Sequence, residues 1–409
     1  MRIEEVVNEC LGCKLPFCEK GCPLHNDIRD FIKALKENDI NLAKAILYNK
    51  NPFPYICSRV CAHEKQCRGN CVKNRLGKAV DVPMIEKYLS EETYEMSKAE
   101  TNGLKIAIIG SGIGSLALAK LLSLNGCAVD IYERENYIGG TILSGIPAYR
   151  LERKYITRAI DEVKALGVNF FLNTDILKNE GIKALFAKGY DKVVLAIGAM
   201  KSNHMGIKNE EYTCDGLKLL HDFNILNQGD KYRNYQRAFV VGGGNVAMDC
   251  ARSLKRVMGD VSIIYRRSIK EMPANAVEIK EAIAEGVKII ELANPKEVVY
   301  EGKVVGVKAI KMELGEVDDS GRASFKEIPN SEEIIPCDLL VMAIGQKIEN
   351  ELADVVEYNE RGRIAINDKH MTSYPNVYAI GDCVLGPSSV AHTINDAKEC
   401  FKCIMEKED

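Results

Sequence analysis

Two doubly wound α/β domains behind a cysteine-rich helical segment are what this sequence predicts, and three observations carry that expectation. A strand–glycine turn–helix–strand pattern occurs at 104–134 and again at 237–267, and eight of fifteen cysteines fall before residue 72. Length agrees, because 409 residues exceed one ordinary core and an apolar share of 46% can fill several.

The elements follow in order. Residues 1–100 read as helical, with amphipathic runs such as "IRDFIKALKEND" (28–39), and "SKAETNG" (97–103) is polar and ends in glycine, as a linker would. "LKIAIIG" (104–110) is a short apolar strand entering glycines, "SLALAKLLSLNG" (115–126) a helix, and "AVDIYER" (128–134) a second strand. "RAFVVGGGNVAMDCARSLKRVMGDVSIIYRR" (237–267) repeats that β-α-β order. Strands ending "VVLAIGA" (193–199), "LLVMAIG" (339–345) and "NVYAIGD" (376–382) complete two nucleotide-binding domains, one inserted in the other.

Composition excludes several classes. A net charge of -3 without a long basic run argues against nucleic acid. The longest apolar stretches, such as "DLLVMAIG" (338–345), fall far short of the ~20 residues a membrane span needs. The acidic opening "MRIEEVVNEC" lacks the apolar core of a secretory signal, so a cytoplasmic location is expected. In that reducing compartment a disulfide framework does not fit. Seven scattered cysteines, Cys400 and Cys403 among them, read as small buried hydrophobes.

The first glycine turn is Gly110-Ser111-Gly112-Ile113-Gly114-Ser115. Such a motif needs a tight turn at Gly110, close pyrophosphate approach at Gly112, and a small residue where helix meets strand, here Ser115. Glu133 closes the second strand 23 residues after Gly110, where a carboxylate accepts ribose hydroxyls. The second turn is Gly242-Gly243-Gly244-Asn245-Val246-Ala247, and 23 residues on stands Tyr265, followed by Arg266 and Arg267. Two guanidinium groups in place of an acid suit a 2′-phosphate, which points to NADP rather than NAD. The plainer alternative is a solvated strand end.

"IGGTILSGIPAYRLERKYI" (138–156), "GGGNVAMD" (242–249), "YRRSIKEMPA" (265–274) and "AIGDCVLGPSSV" (379–390) together resemble the glutamate synthase small (beta) subunit family over essentially the whole chain. That family includes the dihydropyrimidine dehydrogenase flavin subunit and the ferredoxin:NADP oxidoreductase large subunit. The resemblance implies Rossmann-like domains of the disulfide-reductase type. It divides the chain into a helical 4Fe–4S domain (1–100), an FAD-binding domain in two parts (101–200 and 346–409), and an inserted NAD(P)-binding domain (201–345). Carried over residue by residue, Gly110, Gly112, Glu133, Gly140, Thr141 and Arg150 match the family's FAD contacts. So do Gly381 and Asp382, and Ser389 and Val390, where "PSSV" opens a helix. A helix N-terminus there favours the negative charge of reduced flavin. Gly243, Gly244, Asn245 and Val246 match the dinucleotide pyrophosphate turn, and Arg266 and Arg267 the adenosine phosphate, for NADP (or NAD).

The clustered cysteines read Cys10-x2-Cys13-x4-Cys18-x3-Cys22-Pro23 and Cys57-x3-Cys61-x5-Cys67-x3-Cys71. Zinc suits thiolates at short spacings, but zinc knuckles usually repeat C-x2-C, and a run closing on Cys-Pro is the ferredoxin habit. A flavin downstream favours iron–sulfur, because flavin takes hydride as a pair and releases electrons singly. The resemblance implies interleaved ligands: Cys10, Cys13, Cys18 and Cys71 for one 4Fe–4S cluster, and Cys22, Cys61, Cys67 with Glu86 for the other. Cys57 is the rival to Glu86. His25 and His63, near these runs, read as ordinary packing or surface histidines.

The expected function is an electron-input subunit that oxidises NAD(P)H at FAD and passes electrons singly through two 4Fe–4S clusters to a partner. No side chain is assigned as catalytic, since hydride transfer rests on stacking and distance. The chain has no N-terminal nucleophile cysteine and no room for an FMN-binding β/α barrel. A second subunit, FMN- or iron–sulfur-containing, is therefore expected to carry the substrate site. The C-x5-C-x3-C spacing resembles the dihydropyrimidine dehydrogenase subunit, whereas Glu86 and the arginine pair resemble the glutamate synthase one. A thioredoxin-reductase-like enzyme with structural zinc is the remote alternative. It predicts a C-x2-C pair inside the nicotinamide domain, after the second turn, and there only Cys250 and Cys337 lie, far apart in sequence.

Overall fold

The computed structural model describes residues 2–179, 181–317, 323–349, 352 and 354–406. The chain divides into two units, Met1–Leu143, Ala148–Ala199 and Ile348–Asp409 forming one, and Ser144–Pro147 with Met200–Lys347 the other.

The first unit opens with short helices, Ile3–Asn8, Phe17–Lys20, Ile28–Lys36, Ile40–Lys50, Pro54–Val60 and Val82–Leu89, and a 3-10 turn at Val72–Leu76. Local chemistry sets their ends. The amphipathic run beginning at Ile28 buries Ile28, Phe31, Ile32 and Ala34 but stops at Lys36, because Asn38 takes a left-handed φ of 60°. Asp39 then caps the next helix by accepting from the Leu42 backbone N–H at 2.9 Å. Proline opens Pro54–Val60, and Asp81 caps Val82–Leu89. Residues 95–103 have no regular structure but are strapped down. Ala99 donates to the Leu124 carbonyl at 2.8 Å and Asn102 to that of Gly126 at 3.1 Å.

Behind this segment lies a five-stranded parallel sheet in the spatial order Val377–Ala379, Lys192–Leu195, Lys105–Ile109, Ala128–Tyr132, Asn169–Phe171. The strand leading into the first glycine turn is central, the order of a dinucleotide-binding half. Its residues Ile106, Ala107, Ile108 and Ile109 are buried, which explains why they read as one apolar run rather than an alternation. Helices Ile113–Leu124 and Val390–Met405 pack together on this sheet, so closely that a Cβ on Gly114 would come within 2.9 Å of the Thr393 methyl.

The second unit repeats the arrangement. Its parallel sheet runs Cys214–Asp215, Leu339–Met342, Arg237–Val241, Asp260–Ile264, Lys288–Ile290, again with the strand ahead of the glycine turn inside. An antiparallel sheet absent from the sequence expectation is built on it. Ala293–Tyr300, Ala323–Glu327 and Glu333–Pro336 all pair with the long strand Val304–Val317. Lys201–Ser202 pairs with Gln346–Lys347, so the chain enters and leaves this unit side by side. Cys250 lies in the core on one face of the parallel sheet and Cys337 in the core on the other. No helix among the described residues is long and apolar enough to cross a membrane.

Candidate functional site

The first glycine turn stands at the C-terminal end of the central strand. Gly110 has φ +100°, and a Cβ there would lie 2.4 Å from the Ala196 carbonyl oxygen, so glycine is required by both conformation and space. Gly112 is the N-cap of helix Ile113–Leu124, and the space beside its Cα is open. Gly140 approaches Gly112 so closely that a Cβ would be 3.1 Å from the Gly112 Cα. Thr141 begins the one-turn helix Thr141–Ser144, and Arg150 lies in the turn ahead of Arg153–Ala165.

Glu133 is buried directly behind this turn. Its Oε2 accepts from the Ser111 N–H at 2.9 Å and the Ser111 hydroxyl at 2.6 Å, while Oε1 accepts from the Glu135 N–H at 2.9 Å. A carboxylate has about four acceptor positions, so capacity for a ribose hydroxyl remains. Gly381 and Asp382 follow the edge strand Val377–Ala379. Asp382 accepts from the Ser388 N–H and hydroxyl, and burial raises its carboxyl above the usual range. Ser389 caps helix Val390–Met405, accepting from the His392 N–H at 3.4 Å, and that helix has no acid in its first turn. Asp396, which the sequence reading missed, holds the Gly381 N–H at 2.6 Å and pairs with His370 Nε2 at 3.1 Å. An open glycine face at a helix N-terminus, with a carboxylate behind it, fits an adenine dinucleotide.

In the second unit Gly242 has φ +139° and lies against the Ala343 carbonyl, Gly243 against the Tyr265 ring, and Gly244 caps helix Asn245–Lys255 beside open space. Asn245 Oδ1 accepts from the Asn275 N–H at 2.9 Å, and Val246 is half-buried. The two arginines separate. Arg266 is exposed, whereas Arg267 is 5% exposed and donates from Nε to the Ala323 carbonyl at 2.6 Å. Both guanidinium groups stack on Phe325, at 4.4 and 4.7 Å from its centroid. Phe325 and Ala323 come from the antiparallel sheet, so no local spacing pointed to them.

The cysteine-rich segment gathers its donors into two groups. Cys10, Cys13, Cys18 and Cys71 line one pocket walled by Phe17, Ile28 and Ile32. Cys22, Cys61, Cys67 and Glu86 act electrostatically on one another in a second group, with Cys57 hydrogen-bonded to Cys61. Burial, with repulsion from neighbouring acids, pushes the Cys18 and Cys22 thiols up to about 12. The bond with Cys57 and burial raise Cys61, and burial raises Cys67. Burial lifts the Glu86 carboxyl to about 7, opposed by a hydrogen bond from Asn26 Nδ2 to Oε1 at 2.9 Å. Asn26 is a further site residue that local spacing did not reveal.

This donor set fits iron–sulfur clusters. So many buried acids repel one another when ionised, and cationic iron relieves that repulsion. The first four thiols line one pocket. A four-iron cluster attaches each thiolate to a different iron, so its donors surround a body. In the second group the Asn51 amide nitrogen is buried without a partner, while its Oδ1 accepts from the Phe53 N–H and the Cys57 thiol. An orphaned donor beside cysteine sulfur is what a sulfide-rich group would satisfy. His63 is half-buried, and loss of solvent lowers it to about 4.

Residues 104–397 match the pyridine nucleotide-disulphide oxidoreductase family, and residues 2–98 match the dihydropyrimidine dehydrogenase domain II, 4Fe–4S cluster, family. The chain is 33% identical over 426 aligned positions to the NADPH glutamate synthase small chain of Escherichia coli (strain K12), covering 97% of this chain and 90% of that one. It is 35% identical to the NADP(+)-dependent formate dehydrogenase subunit beta of Moorella thermoacetica, over 92% of this chain but only 58% of that one. Among solved structures, Mycobacterium tuberculosis FprA in complex with NADPH superposes with TM-score 0.64 at 20% identity, covering 73% of this chain and 83% of that one. Thioredoxin reductase of T. acidophilum gives 0.55 at 19%, over 73% and 96%; both share the fold. This chain therefore belongs to the pyridine nucleotide-disulphide oxidoreductase family, as an oxidoreductase of the glutamate synthase small-chain type with FAD, a nicotinamide dinucleotide and 4Fe–4S clusters as its cofactors.

Proposed function

We propose that the chain is an electron-input subunit, oxidising NADPH and delivering electrons one at a time to a partner protein that carries the substrate site. The observation that supports this most directly is the interleaving of donors. Cys71 lies with Cys10, Cys13 and Cys18 across some fifty intervening residues, while Cys22 faces Cys61, Cys67 and Glu86. We assign these as two ligand sets, with Glu86 as fourth ligand of the second and Cys57 as its hydrogen-bonding neighbour. When bound, FAD accepts hydride from the nicotinamide and the clusters carry electrons singly.

The chain's own residues then have separable tasks. Gly110, Gly112 and Gly140 keep side chains out of the pyrophosphate path, and Glu133 holds the ribose. The unpaired N–H groups opening helix Val390–Met405 present partial positive charge, which favours the reduced, anionic flavin edge. Gly243, Gly244, Asn245 and Val246 form the second phosphate turn. Arg266 is the residue that meets the 2′-phosphate, and Arg267 and Phe325 form its platform. The relatives named for NADPH or NADP(+) agree with that choice. A partner resembling the glutamate synthase large chain is the first reading. The match of residues 2–98 to a dihydropyrimidine dehydrogenase domain makes that enzyme's flavin subunit the second.

Anaerobic purification tests the proposal. About eight irons per FAD, with broad absorbance near 400 nm over the flavin bands, are expected. Cys22→Ala should damage the Glu86-containing cluster and spare the one held by Cys10, Cys13 and Cys18. Loss of that other cluster instead would refute the ligand interleaving, and zinc without iron would refute the electron relay. Co-purification from the native host identifies the partner.

A further inference from the structure

Among the described residues, three of the five most exposed large apolar side chains stand in two short segments: Leu76 at 76%, Leu11 at 68% and Leu15 at 64%. These are the segments that carry the first donor set. Leu11, Phe17 and Val72 line the pocket shared by Cys10, Cys13, Cys18 and Cys71, and Leu15 and Leu76 occupy the adjoining turns. Phe17 and Val72 are themselves exposed. Isolated apolar side chains on a surface need no explanation, but a contiguous group around one site marks a contact surface.

Positive charge predominates in the two segments of this patch. Residues 9–20 and 71–80 hold Lys14, Lys20, Lys73, Arg75 and Lys78 against Glu9 and Glu19. Their net charge is thus +3 in a chain whose total is -3. Both acids are already engaged, Glu9 by Lys73 and Glu19 by the Arg29 N–H at 2.8 Å. Lys20 sits over the Phe17 ring at 5.5 Å, tying the cationic rim to the apolar centre.

The two donor sets differ in surroundings. Leu24, two residues beyond Cys22, accepts from Lys398 on helix Val390–Met405 at 3.1 Å, and Lys50 accepts from the same ammonium at 2.7 Å. The second set therefore adjoins the helix that opens at the flavin site, and the first set faces solvent.

We propose that this patch is the electron exit, a docking face for a protein that presents an acidic rim around an apolar centre with a one-electron acceptor close behind it. The proposal rests on the relay reading above and deepens it by naming the chemistry of the partner's face. A second copy of this chain is a poor occupant, because a two-fold contact through this patch would set its cations against themselves. Each NADPH oxidised to NADP+ releases one proton and two electrons, so two molecules of a one-electron carrier are reduced.

The probe is a strongly acidic plant-type 2Fe–2S ferredoxin, reoxidised by excess cytochrome c, with menadione, an uncharged quinone, as a small acceptor that needs no docking. With the iron-loaded full chain, ferredoxin-dependent NADPH oxidation should fall steeply as salt is raised, while menadione turnover changes far less. The variant Lys14→Glu/Lys20→Glu/Arg75→Glu should lose about tenfold or more of the ferredoxin rate at low salt. Its iron content, visible spectrum and menadione rate should be unchanged. Leu15→Ser/Leu76→Ser should raise the KM for ferredoxin and leave the salt slope alone. Salt-independent ferredoxin turnover, or a triple variant as fast as the parent, would overturn the docking face while leaving the relay intact. A change of oligomeric state in the triple variant would also overturn it, by making the patch a self-contact. A chain that holds no iron would instead overturn the relay reading and remove the ground for this proposal.

Discussion

Replacing Asn26 by alanine should release the second cluster and leave the first in place. Glu86 is 5% exposed, and Asn26, itself 1% exposed, donates to its Oε1 at 2.9 Å. Burial works against the ionised carboxylate that metal binding needs, and this hydrogen bond opposes burial. A hydrogen bond to a charged group is worth about 1.5–3 kcal/mol, and losing it strands a buried acceptor. At about 1.4 kcal/mol per decade, that is a loss of roughly 10–100-fold in affinity for the iron Glu86 would hold, the range expected for an outer-shell partner of a metal ligand. The assay is anaerobic iron release to a ferrous chelator, followed with electron paramagnetic resonance to distinguish the clusters. Asn26→Ala should show a fast phase of about half the iron, in step with loss of one cluster's signal. Asn26→Asp should be worse, since it sets a second carboxylate beside Glu86. Release kinetics like those of the parent, or equal loss from both clusters, would refute a positioning role for Asn26.

Arg266→Ala should raise the KM for NADPH by about tenfold or more with little effect on NADH, because NADH has no 2′-phosphate to lose a guanidinium partner. Arg267→Ala should mainly destabilise the second unit, by about 1–3 kcal/mol in denaturant unfolding, since its Nε bond to the Ala323 carbonyl and its stacking on Phe325 are buried. Lys120→Met should lower the stability of the first unit by about 2–3 kcal/mol. It removes bonds to Glu162 (2.7 Å) and the Pro52 carbonyl (2.9 Å), although Glu162 keeps Arg158 and Tyr55. At Glu285, burial disfavours the carboxylate, but hydrogen bonds from Arg252 and Arg256 hold it down at about 2. Its folded value lies below the ordinary 4.5, so its stabilisation is whole at neutral pH and lost as pH falls from 4.5 toward 2. Unfolding of Glu285→Gln should be less acid-sensitive in that window.

What the sequence made legible was what local spacing encodes. The strand, glycine turn and helix at 105–124 are adjacent in the chain, so the motif was readable, although the groups that crowd two of its glycines, Ala196 at Gly110 and Thr393 at Gly114, lie far along the sequence. The helix from Ile28 was legible in its buried face but not in its end, because Asn38 in a left-handed conformation interrupts a run that still reads as helical. The antiparallel sheet was missed although "KEVVYEGKVVGVKAIKM" (296–312) is rich in valine, since strand propensity names a strand and not its neighbours. The same limit hid Phe325 beneath the arginine pair and Asn26 beside Glu86, 60 residues away. Such pairings are made by tertiary packing, and neither partner carries a periodic trace of the other.

The contrast between the two donor sets then has a physical reason in how the cysteine-rich segment is fixed. Tyr55 donates to Glu162, Arg158 donates to the Tyr48 hydroxyl and lies over the Tyr55 ring at 4.0 Å, and Lys120 reaches the Pro52 carbonyl. These bonds clamp residues 48–55, just ahead of Cys57 and Cys61, to helices Ile113–Leu124 and Arg153–Ala165. A clamp of buried charges and rings costs more to distort than a surface contact does. It therefore holds the second donor set, with Cys22 and Cys67 buried, at a fixed place relative to the first glycine turn. The first set is bound to the same segment but only half covered, its walls including the exposed Leu11, Phe17 and Val72. Electron transfer within one protein is served by rigidity and exclusion of water, and transfer to another protein by an exposed apolar face. On the proposed relay, the segment has the first property beside the first glycine turn and the second at its outer edge.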